Sequence, residues 1–171
     1  MKKILMVGVI LLAICISISA VSADDGWSFN FSSSDSSNSN GGSVNIDNNK
    51  LTIQGLTFTI PDGYKEDESY RVVGEDANQS SFQGAKISTV KFVKENDSII
   101  IKTVFGDQKY DKDGYTPDTN AVAKKIADED GFFNTYNDGV SFTYFEDGKI
   151  VEIFAPDENV IQTLISSSSD K

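Results

Sequence analysis

The sequence predicts an α+β domain, in which an antiparallel sheet of about five to seven strands is built from hairpins and two helices pack on it. Two observations on the chain carry this prediction. Short apolar runs with a period of two are separated by Asp-Gly and Asn-Asp turns, and the apolar period changes to about 3.6 in two later segments. Because hairpins impose antiparallel pairing, helices with a single apolar face would use this sheet as their packing surface.

The first 23 residues predict a signal peptide. Lys2 and Lys3 precede an apolar run over residues 4–20, and residues 21–23 supply the small side chains that a signal peptidase recognises. The run is also close to the roughly 17 residues with which a helix spans a bilayer, so an uncleaved membrane anchor formed by residues 4–20 is the alternative. The residue before Cys15 is Ile14 rather than a small residue, which argues against a lipoprotein. The predicted location is therefore secreted or at the extracellular surface.

Composition excludes several kinds of chemistry for the mature chain. The only cysteine lies in the predicted signal, and the sequence contains no histidine. A disulfide framework, a Ser-His-Asp triad, a Cys nucleophile and the usual zinc sites are therefore excluded. Without Lys2 and Lys3, 13 of the 15 Lys and Arg residues remain against 26 Asp and Glu residues. Such an acidic surface repels nucleic acid and anionic lipid, and no motif for an organic cofactor is present, so we expect neither partner and no such cofactor.

The mature chain is predicted to begin with a Ser/Asn/Gly-rich flexible tether over residues 24–43. Within it, residues 26–31 alternate aromatic and polar side chains, which fits a disordered start, an added edge strand or a contact point for a partner. A single domain then fills residues 44–166, and residues 167–171 form a disordered tail. The alternating run over residues 51–60 predicts one strand, which stops at a Pro-Asp-Gly turn.

Further elements follow from turn signals and from periodicity. Residues 70–73 predict a short strand, and β-branched residues on both sides of residues 94–97 predict a hairpin. After a polar loop over 106–118, Thr119 is expected to cap a helix that ends at residues 128–131. Asp-Gly at 147–148 predicts a second hairpin. Pro156 then fits the first turn of a final helix, and the apolar stripe of that helix is Val160, Ile161, Leu164 and Ile165.

Two segments resemble known proteins. The segments are LTFTIPDGY at residues 56–64 and FTYFEDGKIVEIFAP at residues 142–156. They resemble small exported proteins of uncertain function from methanogenic archaea, and the first is similar to the opening of PsbP/Mog1-like domains. The resemblance covers about residues 50–166. It implies an antiparallel sheet flanked by helices in an exported or surface setting, and it carries no catalytic residues over to this chain.

Candidate ligand-binding and metal-binding residues cluster in the loop over 106–118. Tyr110 and Tyr115 lie among charged residues, where core packing explains aromatic side chains less easily, and aromatic rings beside carboxylates suit a sugar or another surface ligand. Asp111 and Asp113, followed by glycine, have the spacing of a calcium loop. Lys109, however, occupies the first position of the EF-hand template, so calcium is the weaker of the two expectations.

Three Asn-X-Ser sequences are candidate glycosylation sites. They begin at Asn30, Asn78 and Asn96, and an exported chain exposes such sites to the modifying enzymes. Asn96 is the preferred candidate because it falls at a predicted hairpin tip.

The sequence favours a non-enzymatic binding module for a cell-envelope component or a protein partner, because it predicts an ordered domain on a tether without familiar catalytic side chains. Two alternatives remain at this stage. One is a small extracellular hydrolase that uses paired carboxylates, for which 26 acidic residues offer many pairs. The other is a structural component of a surface assembly.

Overall fold

Residues 36–37, 41–77 and 84–168 are described by the structure, a computed structural model. Within these ranges the chain is nearly all β, with twelve strands in two antiparallel sheets and a single α-helix. None of the helical residues described forms a helix long and apolar enough to cross a membrane. The bounds are β1 Ser36–Ser37, β2 Ser43–Asp47, β3 Lys50–Ile53, β4 Leu56–Thr59, β5 Lys65–Glu66, β6 Val72–Asp76, β7 Lys86–Lys94, β8 Asp97–Phe105, β9 Val122–Ile126, β10 Glu129–Tyr136, β11 Gly139–Glu146, β12 Lys149–Ala155 and α1 Glu158–Ser168.

The small sheet has the order β1-β2-β3-β4. Its last hairpin divides residues 51–60, for which the sequence analysis predicted one strand. Gln54 and Gly55 form the two-residue turn, and their φ angles of 53° and 83° are those of a type I′ turn. Leu51 and Phe58 pair across the hairpin and are both buried, although one occupies an odd and the other an even position. A two-residue turn brings both sets of apolar residues to one face, whereas a continuous strand would separate them.

The large sheet has the order β5-β7-β8-β12-β11-β10-β9, and β6 pairs with β7 on the same edge as β5. Two predicted hairpins are confirmed here. The first joins β7 to β8 through residues 94–97, and the second joins β11 to β12 through Asp147 and Gly148, both of which have positive φ. Strands β8 and β12, which are distant in sequence, pair at the centre of this sheet.

One face of the large sheet, which we call the inner face, packs against the small sheet and α1. The predicted final helix is confirmed as α1, and Asp157 caps it because its Oδ1 accepts a hydrogen bond from the Val160 N–H at 3.1 Å. The Thr59 N–H of β4 donates to Ser167 Oγ of α1 at 2.9 Å, which ties the small sheet to the helix. The largest buried side chains of this core are Leu51, Ile53, Leu56, Phe58, Ile99, Ile101, Phe142, Tyr144, Ile153, Ile161, Leu164 and Ile165.

The predicted α+β class with two helices is wrong. Residues 122–126, assigned to the first helix, form β9, which pairs antiparallel with β10 around a turn at Ala127 and Asp128. The apolar stripe that suggested a helix had only three members, of which Ile126 alone is buried. The aromatic run in β10 favours a strand, and β9 continues that sheet through five paired positions. Strand pairing over this length outweighs so weak a helical pattern.

Candidate functional site

The face of the large sheet opposite the inner face is the outer face, and part of it is covered by residues 106–121, which we call the outer loop. The Tyr110 N–H donates to the Gly148 carbonyl oxygen at 2.9 Å, which fixes the start of the loop to the β11–β12 turn. The rings of Tyr110 and Tyr115 join a second apolar cluster with the buried residues Val104 and Ile150. Packing of this cluster holds the outer loop against the sheet.

Tyr115 is the main anchor of the outer loop. Its ring centroid lies 5.6 Å from that of Phe132 and 5.3 Å from that of Phe145, in the range of favourable aromatic pairs. Burial, followed by the negative charge of Glu152, raises the pKa of Tyr115 to about 12, while a hydrogen bond from Thr143 opposes this rise. Tyr115 is therefore neutral at physiological pH, and it acts as a wall between two clefts.

The first cleft lies beneath the outer loop and brings several predicted site residues together. Tyr110, Tyr115 and Asp111 line it, as do Phe145 and Ile150 of the sheet, and its volume is about 140 Å³. Asp113 does not line this cleft. Both tyrosines of the predicted ligand site therefore line one cleft, and their rings are partly buried.

The predicted calcium residues form a turn. Asp111 Oδ1 accepts hydrogen bonds from the N–H groups of Asp113 and Gly114, each at 3.1 Å. This carboxylate oxygen therefore satisfies backbone donors in an Asx turn. Across the described residues, no group of three or more acidic side chains is placed to hold a metal ion.

The second cleft, which we call the outer cleft, lies on the other side of Tyr115. Its floor is formed by β10, β11 and β12, where Asn134 faces Ser141 and Thr143 faces Glu152 in adjacent strands. Asn134, Ser141 and Thr143 are only 6%, 6% and 8% exposed. The enclosed part has a volume of about 30 Å³, which is enough for a water molecule or one small polar group.

Hydrogen bonds connect the wall of the outer cleft to its floor. Asn134 Nδ2 donates to Asp118 Oδ2 of the outer loop at 3.3 Å and to Tyr136 Oη at 3.1 Å. On the opposite side, Lys102 Nζ donates to Glu152 Oε2 at 3.0 Å. The cleft therefore combines carboxylate, amide and hydroxyl groups within one concave surface, and this set can both donate and accept hydrogen bonds.

An aromatic surface adjoins the outer cleft. The rings of Tyr136 and Phe154 are half-buried, with centroids 6.2 Å apart and planes inclined by 47°. Phe154 pairs with Ser141 across β11 and β12, so its ring stands beside the polar floor. A ligand in this position would meet polar groups and aromatic carbon together.

The sequence analysis singled out neither the residues on the floor of the outer cleft nor a pair of acidic residues, Glu129 and Glu146, near the end of α1. Burial raises the pKa of Glu129, and the negative charge of Glu146 adds to this effect. Burial likewise raises the pKa of Tyr144, which is close to Glu146 and Ser168. These groups point to pH-dependent stability rather than to a ligand site.

Of the three glycosylation candidates, the structure describes only Asn96. It is exposed in the turn between β7 and β8, as the sequence analysis expected for a hairpin tip. Asn30 and Asn78 lie outside the described residues.

Comparisons with known proteins add no assignment: no family model matches this chain, and no curated protein or solved structure is significantly similar to it. The suspected similarity to exported archaeal proteins and to PsbP/Mog1-like domains therefore stays a prediction from the sequence.

Proposed function

We propose that this protein is an exported or cell-surface binding module, not an enzyme, that recognises a cell-envelope component or a protein partner through its outer face. The outer cleft is the observation that carries the proposal. Asn134, Ser141 and Thr143 are buried on a sheet face, where apolar side chains would pack at lower cost. Together with Asp118 and Glu152 they give the cleft a polar character that suits ligand binding.

The outer loop supports this proposal because it shapes the cleft. Tyr115 and Asp118 fix the loop to the sheet by aromatic packing and by the hydrogen bond from Asn134, so the wall is formed before a ligand arrives. A pre-formed site loses less conformational entropy on binding than a mobile one.

Co-sedimentation with envelopes from the source cell tests the proposal. The mature protein, residues 24–171, would be mixed with envelopes at physiological and at high salt. We expect saturable binding that survives high salt. Tyr136→Ala should reduce binding at least tenfold, because it removes a ring beside the polar floor. Tyr70→Ala is the matched control. Tyr70 is also half-buried, but its ring contacts Lys91 on β7, which lies near the opposite edge of the large sheet from β10.

Two results would contradict this assignment. The wild-type protein could remain in solution at both salt concentrations, in which case the envelope is not the partner. Alternatively, Tyr136→Ala and Tyr70→Ala could bind as well as the wild type while keeping its thermal stability, in which case the outer cleft is not the binding surface.

A second candidate function follows from the two acids of the outer cleft. Asp118 and Glu152 line the same cleft, and a pair of carboxylates flanking a bond is the arrangement of most glycoside hydrolases. This alternative predicts release of reducing sugars from envelope polymers, and the release should disappear in Glu152→Gln. If the wild type and Glu152→Gln release equal amounts, the hydrolase alternative is wrong.

A further inference from the structure

We infer that the ligand of the outer cleft is an uncharged carbohydrate chain. This inference rests on the proposed function, since it names the chemical class of ligand for the same surface. It is drawn from the polar groups of the cleft, from the aromatic rings beside it and from the charge of the protein.

The polar groups match a polyhydroxylated ligand. Each sugar hydroxyl donates one hydrogen bond and accepts others, so it pairs best with a surface that presents carboxylates, amides and hydroxyls at short spacing. Asp118 and Glu152 place carboxylates on opposite sides of the cleft, and Ser141 provides a hydroxyl on the floor between them. Asp118 Oδ1 accepts bonds from Thr119 Oγ1 and the Asn120 N–H, and Glu152 Oε2 accepts one from Lys102, so the protein holds both carboxylates in place. The adjacent Asn134 is fixed by bonds from its Nδ2 to Asp118 and Tyr136, and its Oδ1 accepts a bond from the Thr135 N–H at 2.9 Å.

The aromatic rings match the carbon faces of a sugar. A pyranose ring has weakly polar C–H groups on each face, and these are attracted to the electron-rich face of an aromatic side chain. Tyr136 and Phe154 are half-buried, with centroids 6.2 Å apart, directly beside the polar floor. A sugar ring at this position would pack its C–H groups on the rings while its hydroxyls reach Ser141 and Glu152.

The size of the outer cleft and the net charge of the protein restrict the class of ligand further. The enclosed volume of about 30 Å³ takes one hydroxyl or hydroxymethyl group, so the rest of the ligand lies along the open outer face. This geometry suits one unit of a longer chain better than a small molecule that must be surrounded. The protein has a net charge of −11, which repels acidic polymers and favours an uncharged glycan.

The test separates carbohydrate from protein as the ligand by competition. Envelopes would be digested exhaustively with a protease, the digest heated to inactivate the protease, and half of it oxidised with periodate, which cleaves vicinal diols. Both halves would compete with intact envelopes for the mature protein. We expect the unoxidised digest to reduce binding at least tenfold and the oxidised digest to have no effect. Tyr136→Phe keeps the ring but removes the oxygen that accepts the bond from Asn134, so it should bind more weakly than the wild type. Tyr136→Ala removes both and should lose binding.

Each outcome has a distinct meaning. If neither half of the digest competes, proteolysis has destroyed the ligand, so the ligand is a protein, the carbohydrate inference is overturned and the binding module stands. If competition is equal before and after oxidation, the vicinal diols are not recognised and the inference is again overturned. If the protein never binds untreated envelopes, the proposed function itself fails. Thermal unfolding of both Tyr136 variants distinguishes lost contacts from lost folding.

Discussion

Tyr115→Ala should release the outer loop from the large sheet without unfolding the domain. Truncation of a fully buried aromatic residue to alanine costs about 3–5 kcal/mol, and each aromatic pair contributes about 1 kcal/mol of this. Tyr115 is half-buried and makes two such pairs, with Phe132 and Phe145, so we expect a loss of about 2 kcal/mol. The larger core lies on the inner face, so this loss should fall on the attachment of residues 106–121.

Hydrogen exchange measures this effect at a defined amide. The Tyr110 N–H is bonded to the Gly148 carbonyl oxygen, so it exchanges when the outer loop detaches. A loss of about 2 kcal/mol should accelerate its exchange roughly 30-fold, because each 1.4 kcal/mol changes an equilibrium about tenfold. Amides of β8 should keep their protection, and Tyr70→Ala should leave the Tyr110 amide unchanged. Unaltered exchange at Tyr110, or equal loss of protection in β8, would refute this reasoning.

Two further predictions concern the stability of the whole domain. Gly131→Ala should destabilise it by about 3 kcal/mol in urea unfolding, because an added Cβ would overlap the Thr143 carbonyl oxygen and lie 2.6 Å from the Phe142 ring. Gly114→Ala, with nothing closer than 3.8 Å, should stay within about 0.5 kcal/mol of the wild type. Glu129→Gln should flatten the pH dependence of stability. Burial and the charge of Glu146 raise the folded-state pKa of Glu129 above its ordinary 4.5, so the wild type loses stability as pH rises above this value. The variant should therefore be more stable than the wild type at pH 7. We expect a difference of only about 0.5 kcal/mol, because the carboxyl is partly exposed. Equal pH profiles would contradict this.

The features of the fold that could be predicted were those encoded within a few residues. The Asp147-Gly148 turn and the turn at residues 94–97 determine their hairpins locally, and the apolar stripe of α1 matches the helical period along most of its length. The β3–β4 hairpin also has a local signal, because the apolar residues change from odd positions, such as Leu51, to even positions, such as Phe58, on either side of Gly55.

The error over residues 122–126 has a non-local cause. Val122, Ala123 and Ile126 satisfy a helical pattern, but β9 is determined by its pairing with β10. The position of β10 depends in turn on β11 and β12. A pattern of three residues cannot report contacts made by the rest of the sheet, so tertiary pairing overrides local preference here.

In the candidate site, too, some features are visible in the local sequence and others depend on distant contacts. Tyr110 and Tyr115 were conspicuous because aromatic residues are unusual in a charged loop, and both line a cleft. Ser141 and Thr143 were not conspicuous in the sequence. They alternate with Phe142 and Tyr144, and polar residues in this pattern indicate the solvent-facing side of a strand. They form a cleft only because the outer loop folds back over that side, and no local pattern predicts where a loop packs.

The two faces of the large sheet carry different kinds of side chain. On the inner face, Phe142 and Tyr144 of β11 are buried against the small sheet and α1. On the outer face, Ser141 and Thr143 of the same strand lie in the outer cleft. Because neighbouring residues of a strand point to opposite faces, a one-residue shift of β11 would place polar groups in the core and aromatic rings in the cleft. The register of the β11–β12 hairpin, set by Asp147 and Gly148, therefore controls the chemistry of the outer cleft as strictly as it controls the packing of the core.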